Sequence, residues 1–589
     1  MVRVGLLAYD SGMPPNALLL LLFCVLLSVS CGEKKPPPSD AEEVDVPAKT
    51  DFTFVDISKA SGVVLENVSG DPTAKMAILE NLGQGAAALD FDGDGFLDLF
   101  IANGDVFPGQ TPRADPRCAL YRNLGNGTFE DVTEKAGLVF KAWCHGATAV
   151  DFDGDGDPDL YVTVFGGPNR FFENLGNGTF ADRAETWGGA DLGPSTGAAF
   201  FDADGDGDLD LYVGNYVLYD HKNPPNNGKP CTWKELNVSC GPRGTPPARD
   251  SFYENQGGTL VEKTKEFGFG EVDPSYTLGL VTCDFDDDGD VDLYVANDSL
   301  ANYLFVNDKG KFSDQAWRVG VDMKGDGNPQ AGMGVDCGDL DGDGLLDIFV
   351  TNFSDDSNTF YRQELTPGGS RMFMDVTSTA RLGIKEAFST LSWGTRMADL
   401  NRDGWLDLIV ASGHVYPQVD QRQVGTTYAQ INQIYMNQGK DAQGRISFRY
   451  RTPPKGDAFE RAAVSRGLVT FDMENDGDLD LLVVEMDAPP TLLRNDTSGS
   501  NRWIGFSLVG KGKNRDAIGA RVIVTDQRGV IRQVERKSGQ SYLSSCDPRL
   551  LVGLGNAKGN VSVSVRWPSG EVIEHGDLAL DRYHTLTQN

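Results

Sequence analysis

Seven short acidic segments carry the clearest chemistry in this sequence of 589 residues. They share the pattern Asp-x-Asp-x-Asp-Gly-x-x-Asp, with two variants, and we number them loop 1 to loop 7 in chain order. Oxygen ligands at positions 1, 3, 5 and 9, a backbone carbonyl at position 7 and a glycine at position 6 suit a hard cation of flexible coordination such as Ca²⁺. Mg²⁺ is disfavoured because it prefers fewer carboxylates and keeps its waters. The pattern therefore predicts up to seven calcium sites.

The predicted ligands are the side chains at positions 1, 3, 5 and 9 of each loop. In loops 1 to 5 these are Asp90, Asp92, Asp94 and Asp98; Asp151, Asp153, Asp155 and Asp159; Asp202, Asp204, Asp206 and Asp210; Asp284, Asp286, Asp288 and Asp292; and Asp339, Asp341, Asp343 and Asp347. In loops 6 and 7 they are Asp399, Asn401, Asp403 and Asp407, and Asp472, Glu474, Asp476 and Asp480. Asp and Gly also favour plain turns, but seven copies in register favour metal binding. The two variant loops fit a metal least well.

Each loop must join two β-strands. An EF-hand loop ends on a helical glutamate at position 12, whereas that position here is Ile101, Val162, Val213, Val295, Val350, Val410 or Val483. The residues after each loop are β-branched and aromatic, as in Leu160–Val164, which predicts a buried strand. Short apolar runs before the loops predict another strand. The loops are therefore hairpin connections rather than EF-hands.

A second motif follows these strands and completes a repeating unit. Tyr121–Thr133 and Phe172–Asp182 have the pattern strand, Asn-Gly turn, strand, and weaker copies begin at Phe252, Leu304, Phe360 and Ile434. Four-stranded units repeated seven times predict a seven-bladed β-propeller over residues 51–500. Phe52–Asp56 has the pattern of a fourth strand without the three before it. We therefore expect this N-terminal strand to complete the last blade and close the ring.

Two stretches of the chain resemble known families. The loops and their small flanking residues, as in Gly85–Asp90, resemble the FG-GAP or VCBS repeats of integrin α-chain propellers. Residues 501–589 change composition, with 13 Lys and Arg against 8 Asp and Glu. Their motifs resemble the ASPIC/UnbV domain at Asn514–Ala520, Gly539–Ser544, Gly553–Gly555 and Trp567–Gly570. The combination resembles the cartilage acidic protein family and its bacterial relatives, which implies an all-β, exported chain with a propeller and a small C-terminal β domain.

The first 50 residues predict export. Ala17–Leu27 is an apolar run too short to span a bilayer as a helix, which takes about 20 residues, and residues 1–30 are typical of a signal peptide. Ser28–Ser30 fits ordinary cleavage, whereas Cys31 directly after it resembles the acylated cysteine of a bacterial lipoprotein; both alternatives stay open. Residues 31–50 are rich in proline and suit a tether. We expect a lipoprotein of the cell envelope or a secreted protein, in contact with a membrane only through an N-terminal lipid anchor.

Net charge excludes one class of partner. The chain carries 86 Asp and Glu against 52 Lys and Arg, a net charge of −34, so it would repel nucleic acid. The seven loops hold 32 of the acidic residues and one arginine. The acidity therefore belongs to the predicted metal sites and is not a sign of disorder.

Four cysteines are predicted to form disulfides, which an exported chain permits. Cys118 and Cys144 are expected on the same face of the propeller, and Cys231 and Cys240 lie within one insertion. The cysteines whose pairing stays open are Cys283, Cys337 and Cys546. Buried thiols are one alternative for the first two of these.

Alternating strand direction places the loops on one face of the propeller, the loop face, and the connections after each second strand on the opposite face. Three of these connections are long insertions: Gly104–Cys118, Asn215–Ser251 and Ser412–Gln433. We call this side the insertion face. Long loops on a rigid scaffold often carry binding. We therefore expect a monomeric, calcium-stabilised binding or adhesion module whose insertion face recognises an extracellular protein or a polysaccharide.

The alternative function is a carbohydrate-active lyase or dehydratase on the same scaffold. It would need a Tyr, His or Arg acid–base set on the insertion face. No nucleophile motif is present, and none of the five histidines has metal-ligand spacing. His145 and His414 are expected near the insertion face, where a structural role for each is favoured over a shared cleft. We assign no catalytic residue.

Overall fold

A computed structural model describes residues 52–588. The predicted signal peptide (1–30), the tether (31–50) and the acylation site at Cys31 lie outside the described residues. The described chain is dominated by β-strands, as the sequence predicts, and its helices are short. None of these described helices is long and apolar enough to cross a membrane.

Seven four-stranded antiparallel sheets follow one another between residues 54 and 495, and we number them sheet 1 to sheet 7. Sheets 1 to 3 consist of Ala86–Leu89, Asp98–Ile101, Ala119–Asn123 and Phe129–Asp131; Trp143–Val150, Asp159–Phe165, Arg170–Asn174 and Phe180–Asp182; and Ser195–Phe201, Asp210–Asn215, Ser251–Asn255 and Leu260–Glu262. Sheets 4 and 5 consist of Thr277–Cys283, Asp292–Asn297, Tyr303–Asn307 and Phe312–Asp314; and Val335–Gly338, Asp347–Val350, Thr359–Leu365 and Arg371–Asp375. Sheets 6 and 7 consist of Ser392–Ala398, Asp407–Ser412, Gln433–Lys440 and Ile446–Tyr450; and Ser465–Phe471, Asp480–Glu485, Thr491–Asn495 and Phe54–Asp56.

These sheets form a β-propeller. The first strand of each sheet contacts the first strand of the next, and the first strand of sheet 7 contacts that of sheet 1, so the ring is closed. The N-terminal strand completes sheet 7 by pairing antiparallel with the third strand, with Phe54 opposite Asn495. Hydrophobic side chains fill the space between neighbouring sheets, as Phe100 and Leu160 do between sheets 1 and 2. The predicted propeller and its closure by the N-terminal strand are confirmed.

Residues 502–587 form a β domain with two sheets, which confirms the predicted C-terminal β domain. The first sheet consists of Leu550–Gly555, Arg502–Val509 and Tyr583–Thr587, and the second of Ile531–Glu535, Arg521–Thr525, Val561–Arg566 and Val572–Leu578. Val561, Val563 and Val565 are buried around Trp567. Their alternation in the sequence reflects one buried face of a strand.

The C-terminal domain lies on the loop face and sends a segment into the central channel of the propeller. Residues 538–547, which we call the channel segment, contact the first strand of every sheet. In the order of the sheets, the hydrogen bonds are Ser545 N to Ala86 O (2.9 Å), Ala147 N to Leu543 O (3.2 Å), Phe200 N to Ser538 Oγ (3.0 Å), Thr282 N to Ser538 O (3.1 Å), Ser541 N to Val335 O (2.8 Å), Arg396 Nη1 to Gln540 Oε1, and Asp547 N to Thr470 O (3.0 Å). A Cβ at Gly85 would lie 1.8 Å from the carbonyl oxygen of Leu543. Glycine is therefore required there to leave room for the segment.

Short elements connect the sheets on the insertion side. The α-helical turns are Ser58–Ser61, Ala184–Trp187, Ala316–Val319 and Lys385–Ser389, and the 3₁₀ turns are Ile78–Asn81, Pro225–Gly228, Phe269–Glu271, Pro417–Gln421 and Ala458–Glu460. Two-stranded sheets pair Cys231–Trp233 with Leu236–Val238 and Gln430–Ile431 with Ala462–Ala463. All of these elements follow the second or the fourth strand of a sheet.

Two disulfides join described cysteines. Cys231 is bonded to Cys240 (S–S 2.06 Å), as expected. Cys283 is bonded to Cys337 (S–S 2.09 Å) and joins the first strands of sheets 4 and 5. The buried-thiol alternative is therefore wrong for this second pair.

The expected bond between Cys118 and Cys144 is also wrong. Both are free thiols in one buried hydrophobic cluster between sheets 1 and 2. A hydrogen bond with Cys118 and burial hold the pKa of Cys144 well above its usual range, so the protonated thiol is strongly favoured there. Topology brings the two side chains together as predicted, but both stay reduced. Cys546, in the channel segment, is a third buried free thiol.

Candidate calcium loops and insertion face

Each acidic loop is held by its own first aspartate. In loop 1, Asp90 accepts hydrogen bonds from the backbone N–H groups of Asp94 (3.1 Å) and Gly95 (2.9 Å). Gly95 has a φ of +87°, in the left-handed region that glycine adopts most readily. The same bond from position 6 to position 1 is present in loops 2 to 7. The positive φ at position 6, which all seven loops share, explains the glycine of the pattern.

The aspartate at position 9 is buried and begins the second strand of its sheet. Asp98 accepts hydrogen bonds from the backbone N–H groups of Phe91 (3.1 Å) and Asn123 (2.7 Å). Burial, together with repulsion from the other loop carboxylates, raises the pKa of Asp98 to about 8, that of Asp159 to about 9 and that of Asp210 to about 8. Buried carboxylates this close together are stabilised by a cation or by protons.

Sequence reasoning missed an amide side chain that links six of the seven loops to the next sheet. The backbone N–H of Asn174 donates to Asp159 (2.8 Å), and its side-chain amide donates to the carbonyl oxygen of Phe91 in the preceding loop (2.8 Å). Equivalent side-chain bonds to the preceding loop come from Asn123, Asn307, Gln363, Asn437 and Asn495. The signal in the sequence is the amide residue at or near the end of each third strand, before the hairpin turn.

Five loops bring three carboxylates close enough to hold one cation. One oxygen of each lies within 4.8 Å of the others in Asp90, Asp92 and Asp98; Asp151, Asp153 and Asp159; Asp202, Asp204 and Asp206; Asp284, Asp286 and Asp292; and Asp339, Asp341 and Asp343. In loop 6 the amide oxygen of Asn401 accepts the N–H of Asp403 (3.1 Å), as the carboxylate at the same position does in loop 2. In loop 7, Glu474 and Asp480 are in hydrogen-bonding contact. All seven donor sets consist of oxygen atoms, which fits Ca²⁺.

Side chains of the C-terminal domain contact the loops from above. Arg521 Nη1 lies 2.6 Å from Asp287 of loop 4, and the Tyr583 hydroxyl donates to Asp472 of loop 7 (2.8 Å). Further contacts reach loops 2, 3, 5 and 6. The basic excess of the C-terminal domain thus faces the acidic loops, and the domain covers much of the loop face.

The insertion of sheet 3 crosses the opposite face and meets the insertion of sheet 6. Trp233 packs against His414 and Tyr416, with ring centroids 5.1 and 5.8 Å away. Lys234 Nζ lies 2.7 Å from Asp355, which follows the second strand of sheet 5. The insertions therefore form one packed cap and are not independent loops.

An aromatic cluster at the edge of this cap is partly open to solvent: His221 is exposed, and Phe107 and Tyr219 are half-buried. Phe107, from the sheet 1 insertion, stacks on His221 of the sheet 3 insertion, with centroids 5.6 Å apart and planes at 12°. Tyr219 lies 6.1 Å from Phe107. A cavity of about 220 Å³ adjoins the cluster, and Gln110 and Lys229 also line it. Ring faces beside polar groups suit a ligand with both apolar and polar surfaces.

The two histidines expected near the insertion face are both buried. His145 Nδ1 lies 2.8 Å from the carbonyl oxygen of Ser195, and burial lowers the pKa of His145 to about 4. His414 Nε2 lies 3.3 Å from the Ser354 hydroxyl, and burial, with repulsion from Arg466, lowers the pKa of His414 to about 3. Both imidazoles are therefore neutral at physiological pH, each in its own surroundings.

Comparisons with known proteins match both parts of the chain. Residues 510–589 match the family model described as ASPIC and UnbV. The model described as FG-GAP-like repeat matches residues 90–162, 151–213, 284–350, 339–410 and 399–483. Cartilage acidic protein 1 of Mus musculus is 24% identical, over 96% of this chain and 79% of the relative, and that of Homo sapiens is 24% identical, over 84% and 70%. Among solved structures, a rhamnogalacturonan lyase has a TM-score of 0.35 at 14% identity, over 76% of each chain.

Proposed function

Because the chain belongs to the FG-GAP-like repeat family and ends in an ASPIC and UnbV domain, we propose that it is an exported, calcium-stabilised binding module. It acts as a monomer and recognises an extracellular protein or a polysaccharide through its insertion face. The observation that carries this proposal is the contrast between the two faces. The C-terminal domain covers much of the loop face, whereas the insertion face presents a partly exposed aromatic cluster on a packed cap.

Calcium is held by the loop side chains at positions 1, 3, 5 and 9. When bound, Ca²⁺ supplies the positive charge that offsets the repulsion between these carboxylates. The raised pKa values of Asp98 and Asp159 support a cation there, because both groups are buried beside other acids. In six of the seven loops the position-9 aspartate also accepts a backbone hydrogen bond from the residue that reaches the preceding loop, as Asp159 does from Asn174. Fixing the loop ligands therefore stabilises contacts between sheets.

The insertion face is organised before any ligand arrives. The Cys231–Cys240 disulfide closes the tip of the sheet 3 insertion, and Trp233 anchors it on sheet 6. A surface that is already ordered loses little conformational entropy on binding. The ring faces of Phe107 and Tyr219, beside an amide and an ammonium group, fit the rings and polar substituents of a polysaccharide best.

The lyase or dehydratase alternative would draw its acid and base from residues near this face. His145 and His414 are buried, with pKa values lowered to about 4 and about 3. Neither imidazole is exposed to a sugar on the insertion face. These two histidines therefore supply no acid or base to that face, and the exposed His221 is stacked on Phe107 in the aromatic cluster, so we propose binding in preference to catalysis.

A glycan array and a panel of immobilised extracellular matrix proteins, both probed in CaCl₂, test this function. The double variant Phe107→Ala, Tyr219→Ala should lose about tenfold or more in affinity, as expected for aromatic anchors. Trp317→Ala is the matched control, because Trp317 is 81% exposed and lies outside the insertions. Equal binding by the double variant, or no ligand for the unaltered protein on either surface, would contradict the proposal. Shortened oligosaccharides with ultraviolet-absorbing unsaturation would favour the lyase instead.

A further inference from the structure

A cavity of about 640 Å³ lies between the C-terminal domain and sheets 5 and 6. Its walls come from loops 5 and 6 on one side and from the strands Ile531–Glu535 and Leu550–Gly555 on the other. Cavities between domains are common ligand sites. The proposed binding at the insertion face does not involve this cavity.

Two basic side chains at this cavity share a single carboxylate. Arg396 Nη1 and Lys537 Nζ lie 2.7 and 2.5 Å from the two oxygens of Asp336, whose side chain has no exposed surface. Arg396 and Lys537 both line the cavity. The group of three therefore carries one positive charge that Asp336 does not neutralise.

A second pair of arginines, at the opposite wall of the cavity, also shares one carboxylate and so carries one positive charge in excess. Arg528 lies 2.5 Å from Asp526, and Arg532 Nη1 lies 3.6 Å from the same oxygen. The Nε and Nη1 atoms of Arg532 donate no hydrogen bond to any residue between 52 and 588, although the side chain is only 15% exposed. The guanidinium lies against Gly404 of loop 6, where a Cβ would come within 2.5 Å of Nε. A carboxylate can accept from two such N–H groups at once.

The acids of the cavity wall do not cancel these charges. Two of them are paired with other arginines: Glu535 with Arg521 (2.9 Å) and Asp547 with Arg549 (2.8 Å). The others, Asp339, Asp399 and Asp403, belong to loops 5 and 6. This step rests on the proposed function, in which calcium occupies those loops. With calcium bound there, the cavity wall keeps a net positive charge. Burying such an excess is costly unless an anion accompanies it.

The mouth of the cavity is apolar. Trp405, Val530 and Ile531 line it, and the two aliphatic side chains are 41% and 62% exposed. We propose that this cavity binds a small organic carboxylate, with its charged group on Arg532 and its ring or aliphatic body against Trp405 and Ile531. Binding is coupled to calcium, because chelation removes the positive charge that offsets the acids of loops 5 and 6, and their negative charge then repels the anion. By linkage, the carboxylate strengthens calcium binding by the same factor.

Isothermal titration of the full chain with benzoate, in CaCl₂, tests this proposal. Benzamide is the neutral isostere, and it should bind about tenfold or more weakly than benzoate because it lacks the charge. Arg532→Gln should weaken benzoate binding by a similar factor. Arg445→Gln is the matched control and should bind benzoate as the unaltered protein does, since Arg445 is 71% exposed in the sheet 6 hairpin. EGTA should weaken benzoate binding in the unaltered protein.

The outcomes separate this proposal from the calcium proposal. Full calcium binding without benzoate binding overturns the carboxylate site alone, whereas no calcium binding contradicts the proposed calcium sites. Tighter binding of phenyl phosphate than of benzoate assigns the cavity to a phosphate ester and overturns the carboxylate class. If Arg532→Gln does not fold, Arg532→Lys keeps the charge but loses the planar pair of N–H groups. That variant should weaken benzoate binding and leave the calcium stoichiometry unchanged.

Discussion

The hydroxyl of Tyr542 donates a hydrogen bond to the backbone carbonyl of Leu82, 3.1 Å away, from inside the propeller channel. Tyr542 belongs to the C-terminal domain, whereas Leu82 precedes the first strand of sheet 1. The Tyr542 ring is fully buried and lies 4.9 Å from that of Trp393. The same hydrophobic cluster contains Tyr216 and Val415 of the insertions. The C-terminal domain is thus connected through the channel to the core beneath the insertion face.

Tyr542→Ala should lower the free energy of unfolding by about 3 to 5 kcal/mol, the range for removing a buried aromatic side chain. Tyr542→Phe should lower it by about 1 to 3 kcal/mol, because the carbonyl of Leu82 then lacks its donor. Urea unfolding followed by tryptophan fluorescence measures both changes. Leu192→Ala is the control, since Leu192 is 78% exposed, and it should stay within about 0.5 kcal/mol. A Tyr542→Ala protein as stable as its parent would show that the channel contact is not formed in solution.

The amide of Asn174 should contribute to the stability of the ring. Asn174→Ala leaves the buried carbonyl of Phe91 without its donor, so we expect a loss of about 1 to 3 kcal/mol in the free energy of unfolding. Asn560→Ala is the control, because Asn560 is exposed and the bond from its side-chain amide to the carbonyl oxygen of Asp577 is long, at 3.4 Å. Thermal and urea unfolding of the two variants measure the difference. Equal stabilities would contradict a link between sheets 1 and 2 through Asn174.

The propeller was predictable because its sequence marks both ends of the strands. The acidic loops fix the turn between the first and second strands, and the Asn-Gly motif fixes the turn between the third and fourth. Phe52–Asp56 was identifiable as a closing strand because it has the fourth-strand pattern and no partner before it. Its pairing with Thr491–Asn495 follows from the closure of the ring.

The channel segment was not predictable. Residues 538–547 have no hydrophobic period, and most of their hydrogen bonds go to main-chain atoms of strands that lie far away in the sequence. The sequence motif Gly539–Ser544 indicated a family but no location. For the docking of the C-terminal domain on the loops, the sequence showed only that the domain is basic. Which arginine contacts which loop depends on the assembled ring and could not be predicted.

The pairing of the cysteines was also only partly predictable from the sequence. Cys283 is the last residue and Cys337 the second-last residue of the first strands of neighbouring sheets, and each lies within two residues of an acidic loop. This similar placement at one end of adjacent first strands could have indicated their bond. For Cys118 and Cys144, topology predicted proximity, but proximity in an apolar cluster does not decide whether two thiols are oxidised.

Alkylation should find three free thiols between residues 52 and 588. Cys118, Cys144 and Cys546 are each at most 2% exposed, so iodoacetamide should label none of them in the native protein. In denatured, unreduced protein all three should be labelled. Prior reduction should add the four disulfide cysteines Cys231, Cys240, Cys283 and Cys337. Peptide mass spectrometry assigns the labels, and a cross-linked pair of peptides that contain Cys118 and Cys144 would contradict the expectation.

Calcium should invert the pH dependence of stability. In the calcium-free protein the pKa values of Asp98 and Asp210 are about 8 and that of Asp159 is about 9, all raised chiefly by burial from the ordinary value of 3.8. Each of these groups holds its proton more tightly in the folded state than in the unfolded state. Its contribution to stability is therefore present at low pH and is lost as the pH rises through the folded pKa. In EGTA the protein should melt at a lower temperature at about pH 8 than at about pH 6.

In CaCl₂ the direction should reverse, because calcium competes with protons for the same oxygens and binds more tightly as they ionise. At about 100 times its dissociation constant, calcium should stabilise the fold by about 2.7 kcal/mol per site. Scanning calorimetry at both pH values, with and without chelator, measures the reversal. Asp206→Asn, in loop 3, should reduce the calcium-dependent part, whereas Glu134→Gln, an exposed acid outside the loops, should leave it unchanged. A melting midpoint that calcium does not change at either pH would contradict calcium binding by the loops, since a ligand that binds only the folded state must raise the midpoint.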